Sequence, residues 1–305
     1  MRIAYLGSFD NSWDTEAYIS RALQRLGHQV REIEESAASV TQFAERAISF
    51  DADLILFAKG RILGQWDPNC ELLKQSLTLI RKDLPHCIVA SWVFDLMSRG
   101  FNHERWQWVV SCSPLVDRLF MTDGFTAAKI TNACVVRQGI PDDVRPGVMR
   151  DDWKADVLYL GNPYRDRRRD WESLNAHFGK RMLTIREGVR GPELSDLFAS
   201  VKVTIGPHWP TAPQYWSNRC YVVAGHGGCF VAPEIDGMSD EGWRSGVNYL
   251  ACTPANQIEM IEAALTSHGP KGIALHEYVG NNASLLAQSL TYVDRCREML
   301  SHLGR

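Results

Sequence analysis

Short apolar runs and amphipathic segments take turns along almost the whole chain, and each apolar run has the length of a single buried strand. "RIAYLG" at 2–7 ends in glycine and reads as a strand covered on both faces. "TEAYISRALQRLG" follows, with Ile19, Leu23 and Leu26 at helical spacing and Gly27 as its stop. The alternation continues through the strands "HQVREIE", "DLILFAKG" and "HCIVASWVFD" and the helices "TQFAERAISF" and "NCELLKQSLTLIRKDLP". "RLFMTDG" and "NACVVRQG" supply two more strands. Such an order specifies a parallel sheet with helices on both faces.

The Pro- and Asp-rich stretch "GIPDDVRPGVMRDDW" at 139–153 breaks the pattern, which then restarts. "ADVLYLG", "RMLTIRE", "KVTIGP", "CFVAPE" and "VNYLACT" read as strands; "RDWESLNAHFG", "GPELSDLFASV" and "NQIEMIEAALTSHG" read as helices. The expected fold class is therefore α/β with two doubly wound, Rossmann-like domains, 1–145 and 146–285. A C-terminal helical segment, 286–305, is free to pack back on the first domain. A chain of 305 residues has room for both. Ligands of such sheets sit at the carboxyl ends of the strands, so a cleft between the domains is the expected site.

A net charge of −3 argues against a whole-surface grip on nucleic acid. No apolar run approaches the roughly 18 residues of a membrane span, and "MRIAYLGSFD" reads as a strand and loop rather than a charged segment before an apolar signal region. The expectation is a cytoplasmic protein without membrane insertion, monomeric or homodimeric. Eight scattered cysteines without a C-x-x-C pair read as reduced, buried thiols, and no metal site is expected. The acids of "DAD" at Asp51–Asp53 precede their strand, at the wrong end for a metal-dependent sugar transferase, and read as a solvated turn.

Candidate functional residues cluster in loops that follow strands. Gly7 lets the chain turn closely, and Asp14 or Thr15 is placed to cap the next helix, with Glu16 favoured near its N-terminus. No G-x-G-x-x-G occurs there, so a dinucleotide fingerprint is absent. In "GNPYRDRRRDW", Tyr164, Arg165, Arg167, Arg168 and Arg169 lie where a loop runs into a helix, which suits a diphosphate. A solvated, salt-bridged helix face fits the same residues. Arg190 and Gly191 precede the next helix. "GPHWPTAPQYWSN" holds His208, Trp209, Tyr215 and Trp216, whose rings could stack on a sugar or base or plug the domain edge. Ser217 and Asn218 look like helix caps. Arg219 lies in the first turn, where a cation opposes the helix dipole unless an anion binds beyond it. Gly227 and Gly228 allow close backbone approach. Asp95, ending a strand, can take a proton from an acceptor hydroxyl or pair with Arg99.

With these motifs in view, the chain resembles glycosyltransferases of the GT-B fold, in the "glycosyl transferases group 1" branch related to spore-maturation-type proteins. "DTEAYISRALQRLGHQV" is similar to that branch's Thr-Glu start and LGH-x-V turn. "VFDL" with "MTDGF" resembles its Asp-Leu and Asp-Gly pair, and "RGPEL" its Arg-Gly loop. "YWSNRCYVVAGHGG" resembles its Tyr-Trp-Ser-Asp/Asn-Arg block with the following glycines, and "LTYVDR" its His-Thr-Tyr-x-x-Arg tail. The resemblance implies sugar transfer from a nucleoside diphosphate-sugar, a UDP-sugar first, to a hydroxyl acceptor, with retained configuration and no essential metal. The donor sugar is then a co-substrate, and no further cofactor is expected.

It also implies donor binding by Gly7, Tyr164, Arg165, Arg169, Arg190, Gly191, His208, Ser217, Asn218, Arg219, Gly227 and Gly228, and catalysis by Asp95 and Glu16. Acceptors include glycans, small molecules and, since relatives occur in bacteria and phages, a hydroxylated DNA base in an infected cell. Two positions depart from the pattern. Val222 stands where the branch has the Glu expected to hold the donor ribose, and Leu290 where it has the tail His. A non-catalytic nucleotide-sugar-binding protein and a nucleotide-sugar epimerase are the alternative readings.

Overall fold

The computed structural model describes residues 1–97, 103–163, 167–186, 188–206 and 211–305. The apolar runs of the first half form β1 (Arg2–Gly7), β2 (Gln29–Glu34), β3 (Leu54–Phe57), β4 (Ile88–Val93), β5 (Arg118–Met121) and β6 (Ala133–Val135). They lie in the order β2-β1-β3-β4-β5-β6, with every pairing parallel. Residues Ile3 to Leu6 and Leu54 to Phe57 are all fully buried, which is why these strands carry no polar alternation. Helices α1 (Thr15–Arg25), α2 (Val40–Ser49), α3 (Glu71–Asp83), α4 (His103–Cys112) and α5 (Gly124–Ala127) connect them. A capping box of Ser39 and Gln42 starts α2.

The second half repeats the plan. Strands β7 (Ala155–Leu160), β8 (Met182–Ile185), β9 (Val201–Ile205), β10 (Cys229–Pro233) and β11 (Leu250–Cys252) form a parallel sheet in the order β11-β10-β9-β7-β8. Its helices are α6 (Arg167–Phe178), α7 (Glu193–Ser200), α8 (Arg219–Gly225), α9 (Gln257–Thr266) and α10 (Leu275–Ala287). Counted within its own sheet, each half places its second strand outside its first and its third on the first strand's other side. The order thus reverses beside the first strand, between β1 and β3 and again between β7 and β9. At such a reversal the connecting helices leave to opposite faces and open a crevice at the carboxyl ends of the strands.

The chain divides into two compact units, Met1–Gln138 with Tyr292–Arg305, and Gly139–Thr291. The stretch after Gly139 belongs to the second unit because its polar groups bond there. Arg145 pairs with Asp196 at 2.9 Å, the Val148 amide donates to Asp196 and the Arg150 amide to Ser200. The last helix, α11 (Tyr292–His302), lies on α1 in the first unit and buries Tyr292, Cys296, Met299 and Leu300 in its core. Sequence patterning misses α4 and the start of α10. In α4 only Trp108, Val109 and Cys112 are buried, so no apolar stripe forms. Gly280 within α10 looks like a breaker, yet a Cβ there would meet the Gly227 carbonyl oxygen at 2.3 Å. Among the described residues no helix is long and apolar enough to cross a membrane.

Candidate functional site

At the strand-order reversal of the second unit, β9 ends at Ile205 and is followed by Gly206. The side chain of Arg219, first residue of α8, lies across this glycine. A Cβ at Gly206 would stand 2.6 Å from Arg219 Cδ and 3.1 Å from the Leu160 carbonyl oxygen, at the end of β7. Arg219 is thus laid over the carboxyl ends of both strands that flank the crevice. Burial, and then the charge of Arg167, hold its pKa below the usual arginine value. Arg167 is the first residue of α6, the helix that follows β7, as Arg219 begins the helix that follows β9. Two guanidiniums at two helix N-termini add to two helix dipoles of the same sign. That concentration of positive potential suits an anion.

Neighbouring groups point to the same place. Arg219 Nη1 lies 3.4 Å from Ser217 Oγ. Asn218 precedes α8, but its side chain caps nothing and its Oδ1 is buried with no partner among the described residues. The Tyr159 hydroxyl, on β7, is likewise buried without a partner there. Burial raises that phenol to about 12, against the opposing pull of Arg219 and Arg167.

The other candidates of this unit scatter. Arg190 and Gly191 follow β8, the edge strand; Arg190 is exposed and Gly191 is buried with φ +56°. Arg169 is exposed, and Arg168 pairs with Glu172 at 2.8 Å on the solvent face. Gly227 and Gly228 lead into the amino end of β10, at the opposite end of the sheet from Arg219. Gly228 leaves room for Val223, whose Cγ1 a Cβ would meet at 2.7 Å; Gly227 is exposed with φ +76°, and its carbonyl lies where Gly280 of α10 lacks a Cβ. The close approach of Gly228 is to its own unit's core. Tyr164, Arg165 and His208 lie outside the described residues, as do Arg99 and Trp209. Val222 packs half-buried against the core. Of the nearby acids, Glu241 accepts from the Tyr221 hydroxyl at 2.6 Å, and Glu234 is exposed just beyond β10. Sequence reasoning gave Arg167 no priority; its signal is the helix start it shares with Arg219.

The first unit repeats this geometry with the opposite charge. β1 ends at Gly7, and Glu16, in the first turn of α1, lies over it: a Cβ at Gly7 would meet Glu16 Cγ at 2.9 Å. Glu16 is 5% exposed. Burial raises its pKa, opposed by Lys59 and supported by Asp14 and Asp95. Glu35, just after β2, is equally buried; burial raises it too, with Lys59 opposing, and its Oε2 has no partner among the described residues. Asp14 accepts from Ser8 and Asn11 rather than from a helix amide. Asp95 follows β4, half-exposed, with Arg105 Nη1 3.7 Å from its Oδ1. Asp95 and Lys59 line a pocket of about 230 Å³ at the ends of β3 and β4, closed on one side by Trp66 and Trp108. Asp51 and Asp53 sit at the other end of β3, bonded to Arg2. Among the described residues no cluster of metal-binding side chains occurs.

No protein-family model and no curated protein matches the sequence. Solved structures do. HepE from Anabaena, in complex with UDP, superposes with a TM-score of 0.61 at 12% identity over 100% of both chains. A glycosyltransferase from Rickettsia africae gives 0.58 at 12%, over 98% of this chain and 97% of that one. The UDP-GlcNAc 2-epimerase of Neisseria meningitidis, bound to UDP-GlcNAc, gives 0.52 at 8%, over 99% of each. At such identities the likeness is one of fold, and the chain has the GT-B fold: two parallel-sheet α/β domains of the kind these proteins carry.

Proposed function

We propose that the protein is a glycosyltransferase that moves a sugar from a UDP-sugar to a hydroxyl acceptor. The observation that carries this reading is the pair Arg219 and Arg167 at the strand-order reversal of the second unit. There the departing diphosphate would meet two guanidiniums and two helix N-termini, the electrostatic task of such a reaction. HepE with UDP, and an E. coli structure bound with UDP-2-fluoro glucose, support a uridine donor on this fold. In the reaction the acceptor oxygen bonds the anomeric carbon, the bond from that carbon to the diphosphate oxygen breaks, and UDP leaves. The acceptor proton passes to Asp95 or to the leaving phosphate, and configuration is retained. Arginine side chains would neutralise the diphosphate as a divalent cation does elsewhere. Cytoplasmic location belongs to the same proposal.

The test is incubation with a panel of nucleotide-sugars and hydroxyl acceptors, followed by UDP release and product mass. Donor binding without transfer or hydrolysis under any condition would overturn the reading in favour of a binding protein. One observation favours a second reading: Glu16 and Glu35 are buried carboxyls held toward the protonated form, as an acid–base epimerisation needs. Conversion of a UDP-sugar to its epimer without any acceptor would establish that alternative.

A further inference from the structure

The pocket of the first unit has a composition that selects its occupant. Its volume, about 230 Å³, lies below the roughly 300–1,000 Å³ of drug-sized ligand sites; it suits one small ring. One wall is aromatic. Trp66 stacks on Trp108 with centroids 6.0 Å apart and planes at 23°. Trp108 is fully buried and so fixes Trp66, which stays partly exposed at the pocket. A rigid indole offers a flat apolar surface at little entropic cost.

The remaining lining is polar in both senses. Lys59, Arg61 and Arg105 can only donate hydrogen bonds; Asp95 and Glu104 accept. At 3.7 Å the contact of Asp95 with Arg105 is Coulombic rather than a hydrogen bond, so the carboxylate keeps lone pairs to offer. The Nε of Arg61 is buried with no acceptor among the described residues. An anion here meets two acids and a cation meets three bases. A neutral ring with an apolar C–H face and several hydroxyls, each both donor and acceptor, meets neither penalty.

We propose that this pocket holds one sugar ring, and, resting on the transferase reading, that the acceptor is a carbohydrate: a free monosaccharide or the terminal residue of a glycan. A base in duplex DNA fits less well. Its binding depends on several phosphate contacts, and this chain carries a net charge of −3 with two acids at the pocket.

The experiment uses the full chain without donor. Glucose, galactose, mannose, N-acetylglucosamine and disaccharides ending in each are titrated by ligand-observed NMR and calorimetry. At least one should bind, Trp66→Ala should weaken it about tenfold, the worth of one aromatic contact, and Trp66→Phe should weaken it less. UDP should not displace the sugar. If Trp66→Ala does not fold, Arg61→Met and Asp95→Asn on the rim carry the same test. A disaccharide that binds more tightly than its monosaccharide assigns a glycan terminus; the reverse assigns a free sugar. Absence of sugar binding, or binding indifferent to every pocket variant, overturns the proposal, as does tighter binding of hydroxymethylated duplex DNA. A separate UDP titration distinguishes the two levels. UDP bound through Arg219 without sugar binding sinks this proposal alone; sugar bound at Trp66 without UDP binding sinks the donor reading instead.

Discussion

The two units solve one geometric problem with opposite charges. In the first, Glu16 lies across Gly7 at the end of β1; in the second, Arg219 lies across Gly206 at the end of β9. Each side chain comes from the first turn of a helix and crosses a glycine that leaves room for it. An acid there agrees with the helix dipole, whereas a base opposes it. Arg219 is therefore held at a cost, beside a second arginine at a second helix start, and a structural role would be filled more stably by an apolar residue. A costly residue at a strand-end crevice fits the proposed donor site. Glu16 reads differently: its position is electrostatically compatible with its own helix, and what disfavours its charge is burial first, then Asp14 and Asp95.

Substitution should separate the two. Arg219→Met keeps the aliphatic stem over Gly206 and removes the charge. UDP affinity should fall roughly tenfold to a hundredfold, the about 1.5–3 kcal/mol of a charge-assisted bond, while the melting temperature holds or rises. Unchanged UDP affinity would make Arg219 a packing residue like any other and dissolve the contrast. Next in size is Gly206→Ala, which presses on Arg219 and on the Leu160 carbonyl at once. Overpacking of this kind costs about 1–3 kcal/mol, measurable by urea unfolding; Gly7→Ala, which meets only the Glu16 side chain and Phe9, should cost less.

Acid should also divide them. In the second unit His226 stacks on Phe198 and its Nδ1 lies 2.9 Å from Ser195 Oγ. Burial, with Arg145 adding, pushes the imidazole down to about 4. The unfolded ring takes its proton near 6.5, so stability is intact above that pH and falls between 6.5 and 4. From pH 8 to pH 5 the loss is about 2 kcal/mol, and His226→Asn should flatten the profile. Glu16 behaves in the reverse sense. Its raised pKa favours the folded state below the unfolded carboxyl value, and that advantage is lost as pH rises through the folded one. Glu16→Gln should thus raise the melting temperature at pH 7.5 and not at pH 4. A uniform gain at both would show that the buried carboxyl is neutral throughout.

Much of this was legible in the sequence. Strands buried on both faces are uninterrupted apolar runs, so β1, β3 and β7 announce themselves, and a glycine after each strand with a charge in the next helix marks the crevice ends. What was not legible depends on contacts distant in sequence. That Arg167 lies close to Arg219 depends on where α6 begins. Nothing local reveals that Gly228 makes room for Val223, or that Gly280 of α10 makes room for the Gly227 carbonyl. Asp95 has a neighbour in Arg105 only because α4 folds over the end of β4, and α4 carries no stripe to predict it. Lys59, which faces Glu16 and Glu35, looks in sequence like any lysine after a strand.

The return of α11 to the first unit has a consequence for how the molecule is made. The second unit is one unbroken stretch, Gly139–Thr291, whereas the first needs Tyr292–Arg305 to cover Ile19, Leu23 and Phe120. On a ribosome the nascent chain emerges in order, and domains fold as they are completed. The unit begun first is therefore completed second, and until α11 emerges the face of α1 that it packs against stays exposed to whatever else is in reach.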